Sequence, residues 1–273
     1  MREFYFSNQN GEIYYLSYRN NTLATEVTGL GFEKELVYLK YDNEYKKGKE
    51  ENPISTINMK LIFLEGYKGY SSFLNYLKRS TELEFYYKSD DLKFCNIEIK
   101  SLSKEELIAG TIQSSISIDR LSLWQKKKTY IMNVEQFDDN KSYPFKYPYT
   151  YSQSNRGFLS IQNNGSELAS LRIEIEGAVV NPELIVLKDN EVISRLRLYV
   201  SNKDCVIIVD SDVRNQTMTL KDKKGTSSIY ALQDFEQDNF LFLKPGSYDL
   251  EFKPGVLTNT KCKITITEFY LGN

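Results

Sequence analysis

The sequence contains no histidine, and only one tryptophan, among its 273 residues. Histidine is the usual general base near neutral pH and the commonest transition-metal ligand. Its absence removes Ser–His and Cys–His nucleophile pairs and every metal site that includes an imidazole. Catalysis is left to carboxylates, lysine and tyrosine. The three cysteines, Cys95, Cys205 and Cys262, are far apart and odd in number. They support neither a disulfide framework nor a zinc knuckle, and buried free thiols are expected. No apolar run is long enough for a signal sequence or a bilayer span, so a soluble chain made in a cytoplasm is expected. Asn-x-Ser/Thr triplets at Asn20, Asn164 and Asn215 matter only in a secreted protein. Lys and Arg number 35 against 37 Asp and Glu, so no net field draws the chain to nucleic acid or an anionic membrane. Phosphate-binding glycine loops, dinucleotide fingerprints and nucleophile elbows are missing as well. No cofactor and no metal are expected.

What is present is aromatic: 21 Tyr and 15 Phe in a chain that is 41% hydrophobic, enough for two cores of ordinary size or one large one. Apolar positions mostly alternate with polar ones in short runs, the period of half-buried strands, so the chain reads as mainly β. Glu12 to Tyr18 and Thr22 to Thr28 flank the turn-prone Asn20 and Asn21 and predict a hairpin. The charged stretch from Tyr45 to Asn52 reads as a solvated loop. Ile57 to Leu64 alternates as a strand. The period then changes, and Ser71 or Ser72 is expected to cap one short helix with Phe73, Leu74 and Leu77 on one face and Lys78 and Arg79 at its end. Strands resume at Glu82 to Tyr87, Lys93 to Leu102 and Thr111 to Leu123. Trp124 follows as a packing residue, and Lys126 to Lys128 as a solvated triplet.

From Phe137 to Ser154 the composition shifts to Asp, Asn, Pro, Ser and Tyr, with Pro144 and Pro148 interrupting any ladder. This places a domain boundary at 135/136, giving domains 1–135 and 136–273. Beyond it, Phe158 to Ile161 and Ala169 to Glu176 read as strands joined through Asn163, Asn164 and Gly165. Further strands follow at Glu183 to Lys188, Val192 to Val200, Val206 to Val209, Phe240 to Leu243, Tyr248 to Phe252 and Lys261 to Tyr270. Many short strands with regular turn signals make a β-sandwich the expected architecture of this half.

Three constellations invite a chemical reading. Glu174 and Glu176 share one face of a strand, as an acid–base pair of a glycosidase would, or as an ordinary solvent-facing edge. Asp210, Asp212 and Asn215 offer oxygen ligands to calcium, but the loop has neither the Gly nor the terminal Glu of an EF-hand, and a polar turn is the plainer reading. The cluster Tyr143, Phe145, Tyr147, Tyr149 and Tyr151 reads as a platform for saccharide, as a contact surface for another protein, or as a segment laid over one core.

The order of these features resembles one family. Gly29–Leu30–Gly31–Phe32 is followed by the Ile57-to-Phe63 strand and a helix with Phe73, Leu74 and Leu77. Next come the Glu82-to-Tyr87 and Phe94-to-Leu102 strands, then Ile116 to Trp124. The second half has Ile161–Gln162–Asn163–Asn164–Gly165, Ile173–Glu174–Ile175–Glu176–Gly177, Asn181–Pro182 and Leu243–Lys244–Pro245–Gly246. In order and spacing the chain is similar to the distal tail protein family of siphophages infecting Gram-positive bacteria, also called the phage tail component family. The resemblance implies a β-rich, barrel-like, ring-forming first domain with one short helix. It also implies a galectin-like or carbohydrate-module-like sandwich projecting outward. It further implies a non-catalytic homo-hexameric ring at the virion tail tip, made in the host cytoplasm. That ring joins the tail tube protein to the tail-tip hub protein and, in many phages, to receptor-binding proteins. A carbohydrate-binding sandwich recognising host cell-wall saccharide is the alternative, and Tyr143, Tyr147, Tyr149 and Tyr151 are the candidate contacts in either case. Exposed aromatics along the edges of the first domain favour the ring; a cluster in one concave face of the second favours saccharide.

Overall fold

The computed structural model describes residues 2–137, 154–257 and 260–272. Contacts divide the chain into two compact units, Met1–Lys126 with Tyr270–Asn273, and Lys127–Phe269. Both are mainly β, as the alternation predicts.

The first unit holds β1 (Glu3–Asn8), β2 (Ile13–Tyr15), β3 (Thr22–Thr28), β4 (Glu35–Tyr41), β5 (Glu44–Glu51), β6 (Ser55–Phe63), α1 (Tyr67–Arg79), β7 (Leu83–Lys88), β8 (Leu92–Leu102), β9 (Ile112–Arg120) and the start of β10 (Trp124–Asn133). An antiparallel sheet runs β3-β6-β9-β8-β7-β1-β2. Period-two alternation fixes its inner face. Ile57, Met59 and Phe63 pair with Ile118, Ile116 and Ile112, and all six are buried. The sheet curls far enough that β1 and β2 at one end and β6 near the other meet one helical side chain. The ring of Phe73 lies 5.9 Å from Phe6 of β1, 5.0 Å from Tyr14 of β2 and 5.8 Å from Phe63 of β6. No ladder joins β2 to β3 among the described residues, so the barrel-like belt is open.

The expected hairpin of residues 12–28 does not form. A 3-10 turn at Tyr18–Asn20 separates the two runs; β2 pairs with β1 and β3 with β6, at opposite ends of the sheet. Asn21, in the left-handed region at φ 49°, turns the chain. The Tyr14 hydroxyl hydrogen-bonds Thr22 at 2.8 Å, a buried contact that holds the two runs together without a ladder. The helix also starts earlier than Ser71 or Ser72. Gly66 ends the turn after β6 at φ 55°, where a Cβ would lie 2.9 Å from the Gly110 carbonyl oxygen. The inward face is Tyr70, Phe73, Tyr76 and Leu77, while Leu74 is exposed. The C-terminus falls where Lys78 and Arg79 place it, with the Ser80 hydroxyl donating to the Tyr76 carbonyl.

The second unit continues β10 and adds β11 (Glu135–Phe137), β12 (Ser154–Asn163), β13 (Ala169–Val180), β14 (Glu183–Lys188), β15 (Glu191–Arg197), β16 (Ser201–Asp210), β17 (Thr217–Asp222), β18 (Gly225–Ser228), β19 (Phe242–Leu243), β20 (Gly246–Lys253) and β21 (Lys261–Tyr270). Here β18-β17-β16-β13-β21-β10 form one layer, with β19 also on β13, and β11-β12-β20-β14-β15 form the other. One core joins the layers, with Leu171, Ile173, Ile207, Val209, Ile264 and Ile266 from the first and Ile161, Leu184, Val186, Leu250 and Phe252 from the second. This is a β-sandwich. β12 and β13, joined through Asn163, Asn164 and Gly165 as expected, lie in different layers. Between them Asn163 satisfies three backbone groups: its amide donates to the carbonyls of Glu167 and Leu243, and its carbonyl accepts from Gly165 N–H. A Cβ on Gly165 would meet the Phe269 carbonyl oxygen at 2.5 Å, so the Asn–Asn–Gly corner needs its glycine.

The lysine triplet is strand rather than loop, because its charges are answered. Lys126 pairs with Asp91, and Lys128 donates at 2.7 Å to Glu268, which is fully buried and also accepts from Asn164 N–H.

All three cysteines are free and buried, as expected. Burial pushes the thiols of Cys95 and Cys262 up to about 12, so neither forms the reactive thiolate near neutral pH. Under a water-soluble disulfide reagent at pH 8, both are expected to react only after denaturant unfolds the chain. Rapid labelling of either in the folded protein, located by peptide mass, would contradict that packing.

Candidate assembly surface

Strands β4 and β5 form a two-stranded ribbon hydrogen-bonded only to each other, and every residue of both is exposed. The expected solvated loop is therefore β5, with the turn at Asp42 in the left-handed region. Cross-strand pairs assign side chains to faces: Tyr38 opposite Lys47 and Lys40 opposite Tyr45 on one, Leu39 opposite Lys46 and Tyr41 opposite Glu44 on the other. Tyr38 is 55% exposed, Leu39 48% and Tyr45 68%. Both faces thus mix large apolar groups with lysines. Lys34 and Lys47 converge on Glu50, and Lys49 pairs with Glu51, which sets ion pairs along the ribbon.

An isolated two-stranded hairpin is marginal in water, and an exposed apolar ribbon with open edges is a template for pairing with another chain. Sequence reasoning missed it. The available signal was Leu36–Val37–Tyr38–Leu39, a run apolar in both parities that fits a strand covered on both faces.

The root of the ribbon is fixed. A Cβ on Gly29, at φ 82°, would meet the Thr56 carbonyl oxygen at 2.1 Å, so only glycine lets the segment lie this close to β6. Trp124 Nε1–H donates to the Leu30 carbonyl at 3.0 Å, and the Arg120 guanidinium donates to the Gly31 carbonyl at 2.9 Å while lying 5.8 Å from the Trp124 ring. Beside this anchor, Phe32, Ile54 and Leu121 are exposed and flank a hollow of about 240 Å³ that Arg120 also lines. Apolar exposure in the first unit therefore runs from the edge of the belt onto the ribbon.

The segment just described falls within a recognised domain: residues 3–121 match the family model "Distal tail protein, N-terminal domain". Residues 3–121 are thus similar to the distal tail N-terminal domain. The resemblance read from the sequence is borne out for that span. Over almost the whole length the fold is similar to that of chains in solved phage baseplate and Dit structures. A chain of the phage P2 baseplate, in its activated conformation with calcium, has a TM-score of 0.66 at 14% identity, with 98% of each chain covered. The strontium form of that baseplate gives 0.66 at 14% identity, covering 97% of this chain and 98% of that one. The Dit protein of phage SPP1, described as a paradigm of the hub adsorption apparatus in phages infecting Gram-positive bacteria, gives 0.62 at 13% identity, covering 97% and 98%. No curated protein matches the chain in sequence.

The other candidates fare differently in this structure. Glu174 accepts from Lys263 Nζ at 2.8 Å and from Arg172 at 3.2 Å. The Lys263 hydrogen bond, helped by Arg172, holds its carboxyl below the usual range, so it has no proton to donate as a general acid. Asp210 is bound by Arg172 at 2.7 Å and Asp212 by Arg214 at 2.9 Å, so both carboxylates of the proposed calcium loop are engaged by guanidinium groups. Tyr143, Phe145, Tyr147, Tyr149 and Tyr151 lie outside the described residues.

Proposed function

We propose that the chain is a non-catalytic structural part of a phage tail tip, six copies of which close into a ring. The ring joins the tail tube protein to the tail-tip hub protein and to a receptor-binding protein. Residues 1–135 make the ring and 136–273 form the outward sandwich, with Tyr143, Tyr147, Tyr149 and Tyr151 available for a partner or saccharide. The observation that carries this reading is the β4–β5 ribbon. It carries large exposed apolar side chains among lysines on both faces and is anchored at its root, the form expected of an arm that a neighbouring copy covers. A heterologous contact of this kind closes into a cyclic assembly when its rotation permits. The family match at residues 3–121 and the baseplate and hub-apparatus relatives point the same way.

The test is the mass of the purified chain in solution over a range of concentrations, with negative-stain images of the same samples. Particles of six 31.8-kDa chains with six-fold symmetry are expected. A strict monomer that also fails to assemble when mixed with its hub protein would overturn the reading.

A further inference from the structure

The second unit contains a hollow of about 610 Å³, within the range of small-ligand sites. Its walls combine three kinds of chemistry. Phe240 and Phe242, both half-buried, supply apolar surface. Ser194 and Asp238 supply a hydrogen-bonding pair, the hydroxyl donating to the carboxylate at 2.8 Å. Lys188 and Lys244 supply positive charge, and no carboxylate among the described residues forms an ion pair with either.

The lysines are placed by the local fold. Lys188 ends β14, and its Nζ lies 5.7 Å from the centre of the Tyr248 ring. Lys244 opens the Lys244–Pro245–Gly246 turn, whose carbonyl at Lys244 accepts from the buried Tyr248 hydroxyl at 3.0 Å. Tyr248 thus ties both lysine positions to one side of the hollow. With Asp238 as the one carboxylate among the lining residues, the site keeps an excess positive charge.

We infer that this hollow binds an acidic saccharide, a sugar ring carrying a phosphate or carboxylate group. Each feature answers a part of such a ligand. Aromatic faces pack on the C–H faces of a sugar ring. A carboxylate that accepts from a neighbouring hydroxyl can also accept from sugar hydroxyls. Two ammonium groups without acidic partners form charge-assisted bonds to an anion. An aromatic-floored hollow alone would suit many ligands, and a lysine pair alone would suit any anion; their union selects the charged sugar. The inference goes beyond the ring and does not depend on it.

The experiment is calorimetric titration of the full chain with four probes: a glucuronic-acid disaccharide, an N-acetylglucosamine-substituted glycerol-phosphate trimer, neutral chitobiose and inorganic phosphate. Each is run against the wild type and against Lys188→Ala/Lys244→Ala, two exposed positions whose substitution leaves the core intact. One of the acidic saccharides is expected to bind at least about tenfold more tightly than chitobiose, to weaken with added salt and to lose at least about tenfold in the double variant at unchanged melting temperature. Phe242→Ser is expected to weaken the same ligand. No binding of either acidic saccharide, equal binding by the double variant, or inorganic phosphate binding as tightly as the saccharides would each overturn it.

Discussion

With Leu39 and Tyr41 both replaced by aspartate, the chain is expected to fold as before and to stop assembling. Both residues sit on one face of the ribbon, opposite Lys46 and Glu44, and neither touches the core of the first unit. Exposed substitutions of this kind change folding stability by no more than about 0.5 kcal/mol each. In a covered interface the same carboxylates lose their water, at a cost of several kcal/mol per ion when no partner compensates them. That is enough to move an assembly from complete to absent at micromolar concentration, since about 1.4 kcal/mol is a factor of ten. The companion variant Tyr38→Asp/Tyr45→Asp places the charges on the other face. If both pairs abolish the ring, the ribbon is covered on both sides. If only one does, that face makes the contact and the other faces solvent. The readings are solution mass, negative-stain images and the melting temperature of the separated monomer. Rings from both variants would remove the ribbon from the assembly altogether.

The parts of the fold that were legible in the sequence are those whose alternation is undisturbed. β13 reads directly from Leu171, Ile173 and Ile175 inward and Arg172 and Glu174 outward, and the buried and half-exposed positions follow that pattern. The strands at Ile57 to Leu64 and Lys261 to Tyr270 are legible for the same reason. What was not legible is pairing. β2 and β3 look like a hairpin because proximity in sequence favours one, yet each finds a better inner-face partner elsewhere, in β1 and β6. β10 was hidden because a lysine-rich strand looks solvated until the distant carboxylates of Asp91 and Glu268 are brought beside it. The ribbon was hidden for another reason. In the proposed ring its charged second strand would meet a surface that the chain does not itself complete, and contacts outside the monomer leave no pattern in the sequence of one chain. The candidate site was legible at its root, in Gly29–Leu30–Gly31–Phe32 and Trp124, but the hydrogen bond that links those two elements spans 94 residues and has no local signature.

That link makes Trp124 the position where a single substitution has the largest expected effect on stability. Its side chain is fully buried, 6.3 Å from the ring of Phe85 and 6.4 Å from that of Tyr87. Trp124→Ala removes the packing of the largest core residue, a loss of about 3–5 kcal/mol for an aromatic truncation. It also leaves the Leu30 carbonyl without its indole donor, which adds about 1–3 kcal/mol if water cannot reach it. Set against a total stability of about 5–15 kcal/mol for a domain, the first unit is brought close to unfolding. Trp124→Phe separates the two contributions. It keeps most of the ring packing and removes only the N–H, so the urea midpoint should fall by a fraction of the alanine effect. The anchor on Leu30, and with it the direction in which the ribbon leaves the belt, is lost in both. A folded Trp124→Phe chain that assembles poorly would mean that the tryptophan serves the ring by aiming the arm. A folded Trp124→Phe chain that assembles normally would confine its role to the core and leave Gly29 and Arg120 to hold the root.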